Sequence, residues 1–228
     1  VPILALETST EWCSAALDMG GEGLGGDLHL REAHAGNRHS EMILPMALQL
    51  MAEVGMPLSQ LDAIAYGEGP GSFTGLRIAC GVTQGLALAA GCPVIGVGSL
   101  QALAAAAALE TGAAGVLAIL DARMGEVYAA RYWQGVEVSP PALYKPEALP
   151  SPEPGEYVAG TGFFAYEALL TTAWAGLDYR VSMQRYPSAI QVARLAVPRL
   201  LAGAAYSAEK AEPVYVRNKV ALKKSERT

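Results

Sequence analysis

The residues best equipped for chemistry are a glycine-rich loop at 66–77 (YGEGPGSFTGLR) and two carboxylates, Glu7 and Asp121, each closing a short apolar run. Upstream of the loop, residues 61–66 (LDAIAY) have strand length; downstream, residues 76–90 form an apolar stretch too long for one strand. Strand, glycine turn and helix start together leave backbone N–H groups free where an anion can sit, with Gly69, Gly71 and Ser72 as the candidate contacts. Ser72 and Thr74 are equally ordinary helix caps, and the glycines can serve the turn alone.

The exact phosphate signatures fail. A Walker loop requires Gly-Lys-Ser/Thr, and the loop has no lysine. The dinucleotide fingerprint lacks its third glycine, because Ser72 and Thr74 hold the candidate places. A nucleophile elbow needs glycine two residues either side of serine, where Ser72 has Pro70 and Thr74.

Glu7 and Asp121 each end an apolar run at a polar turn. There a carboxylate can hold hydrated Mg²⁺ beside ATP or ADP, or simply cap turn amides. His29, His34 and His39 are spaced by five, which suits neither one helical face nor a zinc-binding i, i+4 pair. They read as surface or interface residues, and no metal site is expected.

These groups need elements to hold them. Residues 3–6 and 12–17 read as strands, with a third at 27–31. A helix at 40–54 is closed by Gly55 and Pro57. Strands follow at 93–97, 116–120, 126–132 and 156–160, and helices at 99–109 (capped by Ser99), 164–170 and 188–201. Residues 139–155 read as irregular and proline-rich. The alternation gives an α/β class.

An internal echo divides the chain. Residues 3–7 (ILALE) followed by 12–17 match 117–121 (LAILD) followed by 126–131, with Ala15-Ala16 opposite Ala129-Ala130 without a gap. Two similar subdomains follow, 1–103 and 104–228, with the last residues packing back on the first.

The helix at 40–54 is apolar over roughly 240° of its circumference, although a helix on one sheet needs little more than 100°. The excess implies a second layer or another subunit, and the methionines suit an adaptable interface. Pro45 should kink this helix or lie in its first turn.

At 228 residues the chain has room for one large or two small domains. A net charge of −6 argues against wrapping nucleic acid unaided. Lys219, Lys223, Lys224 and Arg227 gather at the end, where a solvated tail is the simpler reading. Three scattered cysteines without CxxC spacing suit buried thiols in a reducing compartment. No basic leader precedes an apolar segment, and residues 101–109 are too short to span a bilayer. A soluble cytoplasmic protein without a membrane partner is expected.

The segments ILALETSTEWCSAAL, HSEMILPM, YGEGPGSFTGLRIACGVTQGLALA, PVIGVGSL, LDARMGEVY and EPVYVRN, spread from Ile3 to Asn218, resemble the bacterial TsaB (YeaZ) family. Residues 20–38 and 136–188 carry little of its signature. The resemblance implies an actin-like (ASKHA, ribonuclease H-like) fold of two duplicated subdomains around a cleft. It also implies a part in forming threonylcarbamoyladenosine next to the anticodon of tRNAs that read codons beginning with A. In that family the catalytic subunit is the paralogue TsaD, and the ATPase TsaE joins the pair; tRNA is met through the complex.

TsaD carries two metal-binding histidines one helical turn apart after a strand like residues 93–97. The matching positions here are Ser99 and Leu103, and leucine has no lone pair to give a metal. No catalytic residue is therefore assigned. The family pairs subunits through the helix carrying HSEMILPM and the helix after the glycine loop. The resemblance thus implies an interface of His39, Met42, Ile43, Met46 and Leu50 with Leu76, Ile78, Val82 and Leu86, self-pairing into a homodimer when TsaD is absent. The alternative is a small ATPase or kinase working alone through Glu7, Asp121 and the loop, with ATP or ADP and Mg²⁺ in the cleft. A peptidase reading finds neither an elbow nor a histidine beside Ser72.

Overall fold

The computed structural model describes residues 1–20 and 27–217. Its first sheet holds β1 (Ile3–Glu7), β2 (Trp12–Asp18), β3 (Leu28–His34), β4 (Ala63–Gly69) and β5 (Val94–Gly98), in the order β3-β2-β1-β4-β5. The second holds β6 (Gly115–Arg123), β7 (Glu126–Trp133), β8 (Val136–Tyr144), β9 (Glu156–Ala159) and β10 (Tyr179–Val181), in the order β10-β9-β6-β7-β8. Read from its other edge, the second order repeats the first strand for strand. In both, an antiparallel three-stranded meander leads to two parallel strands.

Among the described residues six α-helices cover the sheets: α1 (His39–Glu53), α2 (Phe73–Ala90), α3 (Ser99–Thr111), α4 (Thr161–Ala165), α5 (Glu167–Ala173) and α6 (Ala189–Leu201). Successive side chains of a strand point to opposite faces, so a sheet buried on both sides needs apolar residues at every position. β1 obeys this: Leu4 and Leu6 pack with Ile43 and Leu50 of α1 and Ala79 of α2, while Ile3 and Ala5 pack with Val192, Ala193 and Ala196 of α6. In the second sheet, Ala118 and Leu120 meet Leu100 and Leu103 of α3, and Leu117 and Ile119 meet Phe163 and Leu170. α2 is long and apolar enough to cross a bilayer, but Leu76, Ala79, Cys80, Leu86 and Ala87 are buried against this protein's own core.

The echo between the halves is one residue less regular than the gapless match suggests. Ala16 pairs with Ala5, but Ala130 pairs with Ala118, the equivalent of Leu4 in that match. A register shift between Asp121 and Arg123 accompanies the tighter second hairpin. The division expected at 103/104 falls inside α3, and α6, from the second half, lies on the first sheet.

Several elements differ from expectation. β8 takes in the first part of the stretch read as irregular, up to Tyr144: Pro140 and Pro141 are tolerated because it is an edge strand with a broken ladder to β7. The helix expected at 164–170 is two short helices, and three-residue β10 is too brief for a periodic signal. Pro45 stands in the second turn of α1, inside the helix. Gly98, not Ser99, is the N-cap of α3.

Candidate functional site

A cleft of about 740 Å³ opens between the two sheets. It is lined by the β1–β2 turn (Ser9, Thr10, Glu11), the loop entering α2 (Pro70 to Thr74) and the β6–β7 turn (Asp121 to Arg123). Thr161 and Phe164 of α4, the Arg185-Tyr186 pair and the tail from Val214 to Arg217 complete its walls.

The glycine loop is shaped by its own packing. A Cβ on Gly67 would stand 2.0 Å from Glu7 Oε2, one on Gly71 2.5 Å from the Ser9 backbone oxygen, and one on Gly75 1.9 Å from the Thr8 carbonyl oxygen. Ser72 N–H donates to Ser9 O at 2.7 Å, and the Thr8 hydroxyl to Gly75 O at 2.7 Å. Three glycines spaced by four thus let the loop lie directly on the β1–β2 turn. Gly69 has φ +116° and would meet Val214 O at 2.7 Å, so its missing side chain makes way for the tail. Ser72 caps α2, its Oγ accepting Gly75 N–H at 3.3 Å. Of the loop residues read as anion contacts, Gly71 and Ser72 line the cleft, while Gly69 is buried in backbone packing.

Glu7 does not reach the cleft, contrary to its reading as a magnesium or nucleotide contact. It is 1% exposed; Oε1 accepts Ser9 N–H at 2.6 Å and Oε2 accepts the Ser99 hydroxyl at 3.0 Å. Burial pushes its pKa up, and hydrogen bonds from Ser9 and Ser99 oppose the rise only in part. A strand-end carboxyl with both neighbours buried is enclosed by the loop that a glycine admits, which the sequence alone does not reveal.

Asp121 does line the cleft, but its charge is already matched. Oδ1 accepts Arg123 N–H at 2.9 Å, and Oδ2 lies 3.2 Å from the Arg123 guanidinium. Arg123 also reaches Glu11 across the cleft at 3.6 Å. This is the turn-capping arrangement, and a cation at Asp121 would have to displace Arg123. Among the described residues no three His, Cys, Asp or Glu side chains gather as metal ligands. Ser99 and Leu103 are both fully buried, one on Glu7 and the other in the core.

The α1 and α2 residues divide sharply. Ile43, Leu50, Leu76 and Leu86 are buried in the core and present nothing to a partner, correcting their assignment to an interface. His39 is also buried; its Nε2–H donates to Thr10 O at 2.8 Å and holds the β1–β2 turn. Met42, Met46, Ile78 and Val82 are half-buried. The apolar surface left outside comprises Leu44, Pro45 and Leu48 on α1, with Leu88 on α2. Gly81 and Gly85 lie one turn apart on α2, both exposed, with nothing within 4 Å of where a Cβ would be.

The tail forms a strap whose individual contacts were not legible beforehand. The Ala211 carbonyl accepts Cys80 S–H and Gln84 Nε2–H, both at 3.1 Å. Val214 N–H donates to Glu68 O at 2.7 Å, and Arg77 Nε–H to the Tyr215 hydroxyl at 2.9 Å. The strap then crosses to the other half, where Arg217 donates to Ala122 O at 3.0 Å and to Glu126 at 2.7 Å. Its only sequence signal is the segment EPVYVRN, of whose residues Asn218 lies outside the described residues, as do Lys219, Lys223, Lys224 and Arg227.

Two sheets of identical strand order around a cleft, with helices on their faces, define the duplicated actin-like, ribonuclease H-like α/β fold. A polyphosphate/ATP-glucomannokinase from Arthrobacter sp. strain KM shares that fold with TM-score 0.51 at 13% identity, over 89% of this chain and 99% of that one. The family profile described as "TsaD: tRNA N6-adenosine threonylcarbamoyltransferase" matches residues 33–175. The tRNA threonylcarbamoyladenosine biosynthesis protein TsaB of Escherichia coli (strain K12) is 42% identical over 97% of both chains. Its namesake in Haemophilus influenzae is 37% identical over 97% of this chain and 96% of that protein. YeaZ from Pseudomonas aeruginosa superposes with TM-score 0.83 at 39% identity, covering 94% of this chain and 99% of that one. The chain belongs to the TsaB (YeaZ) family and takes part in the biosynthesis of threonylcarbamoyladenosine in tRNA.

Proposed function

We propose that this chain is a non-catalytic subunit of the transferase that builds threonylcarbamoyladenosine next to the anticodon of tRNAs reading codons that begin with A. In this reading it acts in the cytoplasm with a TsaD-type catalytic paralogue and a TsaE-type ATPase, and meets tRNA within that assembly. It pairs with itself when the paralogue is absent. The two duplicated halves act as one scaffold, with the partner-binding helices α1 and α2 on the first.

The observation that carries this reading is the apolar face of Leu44, Pro45, Leu48 and Leu88 beside Gly81 and Gly85. Exposed side chains of this kind on adjacent helices mark an association surface, and two glycines one turn apart let another helix approach closely. Half-buried Ile78 and Val82 flank the two glycines on α2, and Met42 and Met46 lie on the other flank of α1, where their flexible side chains can adapt to a partner.

The alternative of an independent ATPase or kinase has less to draw on. ATP or ADP with Mg²⁺ at the cleft or at a subunit interface would find Ser72 and Asp121, with Asp121 held by Arg123 and Glu7 enclosed.

The test is to mix the protein with its cognate TsaD and measure complex mass by light scattering. tRNA modification is then assayed with TsaE, ATP and threonylcarbamoyl-adenylate supplied. A one-to-one complex, with modification requiring both subunits, is expected. Modification by this chain without TsaD would refute the reading.

A further inference from the structure

The GEG triplet of the glycine loop, residues 67–69, carries a carboxyl that neither the cleft nor the partner face uses. Glu68 is half-buried near the end of β4. Gly96 of β5 makes room for it: a Cβ there would stand 1.9 Å from Glu68 Oε2 and 2.7 Å from the Tyr206 hydroxyl. Two further groups face the carboxyl, the Tyr66 hydroxyl from β4 and the Arg199 guanidinium from α6. Arg199 directs its Nη donors to Gly96 O and Gln101. Among the described residues nothing donates a hydrogen bond to the Glu68 carboxyl.

The strap closes over these groups. It starts on the open edge of β5, where Tyr206 N–H donates to Val94 O at 3.0 Å and Val94 N–H to Tyr206 O at 2.8 Å. The Tyr66 hydroxyl lies 3.0 Å from that of Tyr206 and meets both the N–H and the C=O of Glu212, at 3.0 and 3.1 Å. Val214 N–H donates to the backbone oxygen of Glu68 itself, and Arg77, 3.6 Å above the Phe73 ring, holds Tyr215. Between 206 and 217 only Ala208 and Ala211 are buried, while Glu212, Val214 and Tyr215 are exposed. Polar contacts therefore hold the strap, and lifting it uncovers hydroxyl, carboxyl, amide and thiol groups that water can satisfy. A segment with so few buried apolar side chains opens locally at less than the global cost.

Burial pushes the Glu68 carboxyl above its ordinary range, and the Arg199 guanidinium opposes the rise only in part. The protonated acid tolerates the covered site, whereas a carboxylate without a donor gains from water. With the strap lifted the carboxyl titrates near its ordinary value. Docking is thus fully favoured below that value, and the advantage is lost as pH rises towards the docked one.

We propose that the strap is a latch between the two halves, seated while Glu68 is protonated and loosened when it ionises. Loosening withdraws Val214 to Arg217 from the cleft wall and frees the β6–β7 turn from Arg217.

The test labels the full chain with methyl methanethiosulfonate and reads each cysteine by peptide mass spectrometry. Cys80 donates to Ala211 O beneath the strap, and Cys13 is fully buried in the core. Lifting the strap exposes the first and only global unfolding the second, so Cys80 should label faster. Glu68→Gln keeps the shape and removes the ionisation. The ratio of parent to variant Cys80 rates cancels the thiol's own pH dependence. It should rise by at least about threefold between pH 5 and 8, and by no more than about tenfold per pH unit, the ceiling for one proton. In the parent alone, the Val214 amide should lose protection over the same range once its intrinsic exchange rate is divided out. Cys80 labelling no faster than Cys13 overturns the latch. A constant ratio removes Glu68 from its control; should the variant fail to fold, constant protection at Val214 does the same.

Discussion

Gly67 and Glu7 occupy one space: a Cβ on the glycine would sit 2.0 Å from the Oε2 atom that accepts the Ser99 hydroxyl. The bare backbone of β4 therefore decides where the β1 carboxylate lies, and that carboxylate holds the β1–β2 turn against the start of α3. The relationship joins three chain segments at the floor of the cleft without contributing a group to it.

Gly67→Ala should accordingly be among the most damaging small substitutions in the protein. Its methyl group meets Glu7 rather than open space, and overpacking of a core costs about 1–3 kcal/mol. Urea unfolding is expected to show a loss in that range. A loss within about 0.5 kcal/mol, the usual bound for surface changes, would mean that Glu7 moves aside freely.

The raised pKa of Glu7 has a definite sign in the pH dependence. The folded state binds its proton more tightly than the unfolded state does, so the stabilising contribution is complete below the ordinary carboxylate range and is lost as pH rises towards the folded value. Glu7→Gln keeps an acceptor for Ser9 N–H and turns its amide to the Ser99 oxygen, with no proton to lose. Its stability relative to the parent should rise with pH above about 4.5, by at most about 1.4 kcal/mol per pH unit. Parallel stability curves for the two proteins from pH 4 to 8 would show that Glu7 ionises without cost.

The division of α1 into buried and outward residues separates folding from association. Leu48→Asp, at a side chain 44% exposed, should leave the unfolding midpoint nearly unchanged and weaken the complex with TsaD by at least about tenfold through burial of an unpaired charge. Ile43→Asp, at a fully buried position, should abolish folding instead. Isothermal titration of the Leu48 variant checks the first; unchanged affinity places the interface elsewhere.

Gly81→Ala gives the complementary result. With nothing within 4 Å of the new methyl group, helix propensity alone should stabilise the free chain by about 0.5–1 kcal/mol. The same methyl group should hinder a closely packed partner helix. A higher melting temperature together with weaker complex formation is expected, and tighter association would remove the glycines from the interface.

Arg217 closes the strap on the β6–β7 turn. Arg217→Ala removes charge-assisted bonds to Ala122 O and Glu126, leaving Glu126 with Lys145 at 3.7 Å. A loss of about 1.5–3 kcal/mol is expected, with faster amide exchange at 121–126 while the β1–β2 turn is unaffected. Uniformly faster exchange would show that the strap supports the whole fold rather than this turn.

The duplicated architecture was legible because apolar runs such as ILALE and LAILD need both sheet faces covered, and that demand is written in consecutive residues. The roles of the loop glycines were not. Gly67, Gly71 and Gly75 answer to Glu7, Ser9 and Thr8 some sixty residues away, and spacing along a chain carries no trace of a missing Cβ's neighbour. The apolar excess of α1 was visible, but composition does not say which arc faces the sheet: Ile43 and Leu50 do, and Leu44, Pro45 and Leu48 do not. Arg77 and Phe73 were quoted with the loop but drew no attention, since a stacked pair four residues apart on a helix resembles any other i, i+4 pair.

The position of α6 bears on how the protein is made. One face of the first sheet, Ile3, Ala5, Ala16, Ala65 and Val97, is covered by residues 192–196, so nearly two hundred residues must be synthesised before that face is shielded. A nascent chain carries the bare sheet face out of the ribosome for most of its elongation, at about 5–20 residues per second a wait on the order of ten seconds or more. Assembly of the first half is thus deferred to the end of translation, and premature termination anywhere before Ala189 yields a sticky sheet rather than a smaller working domain.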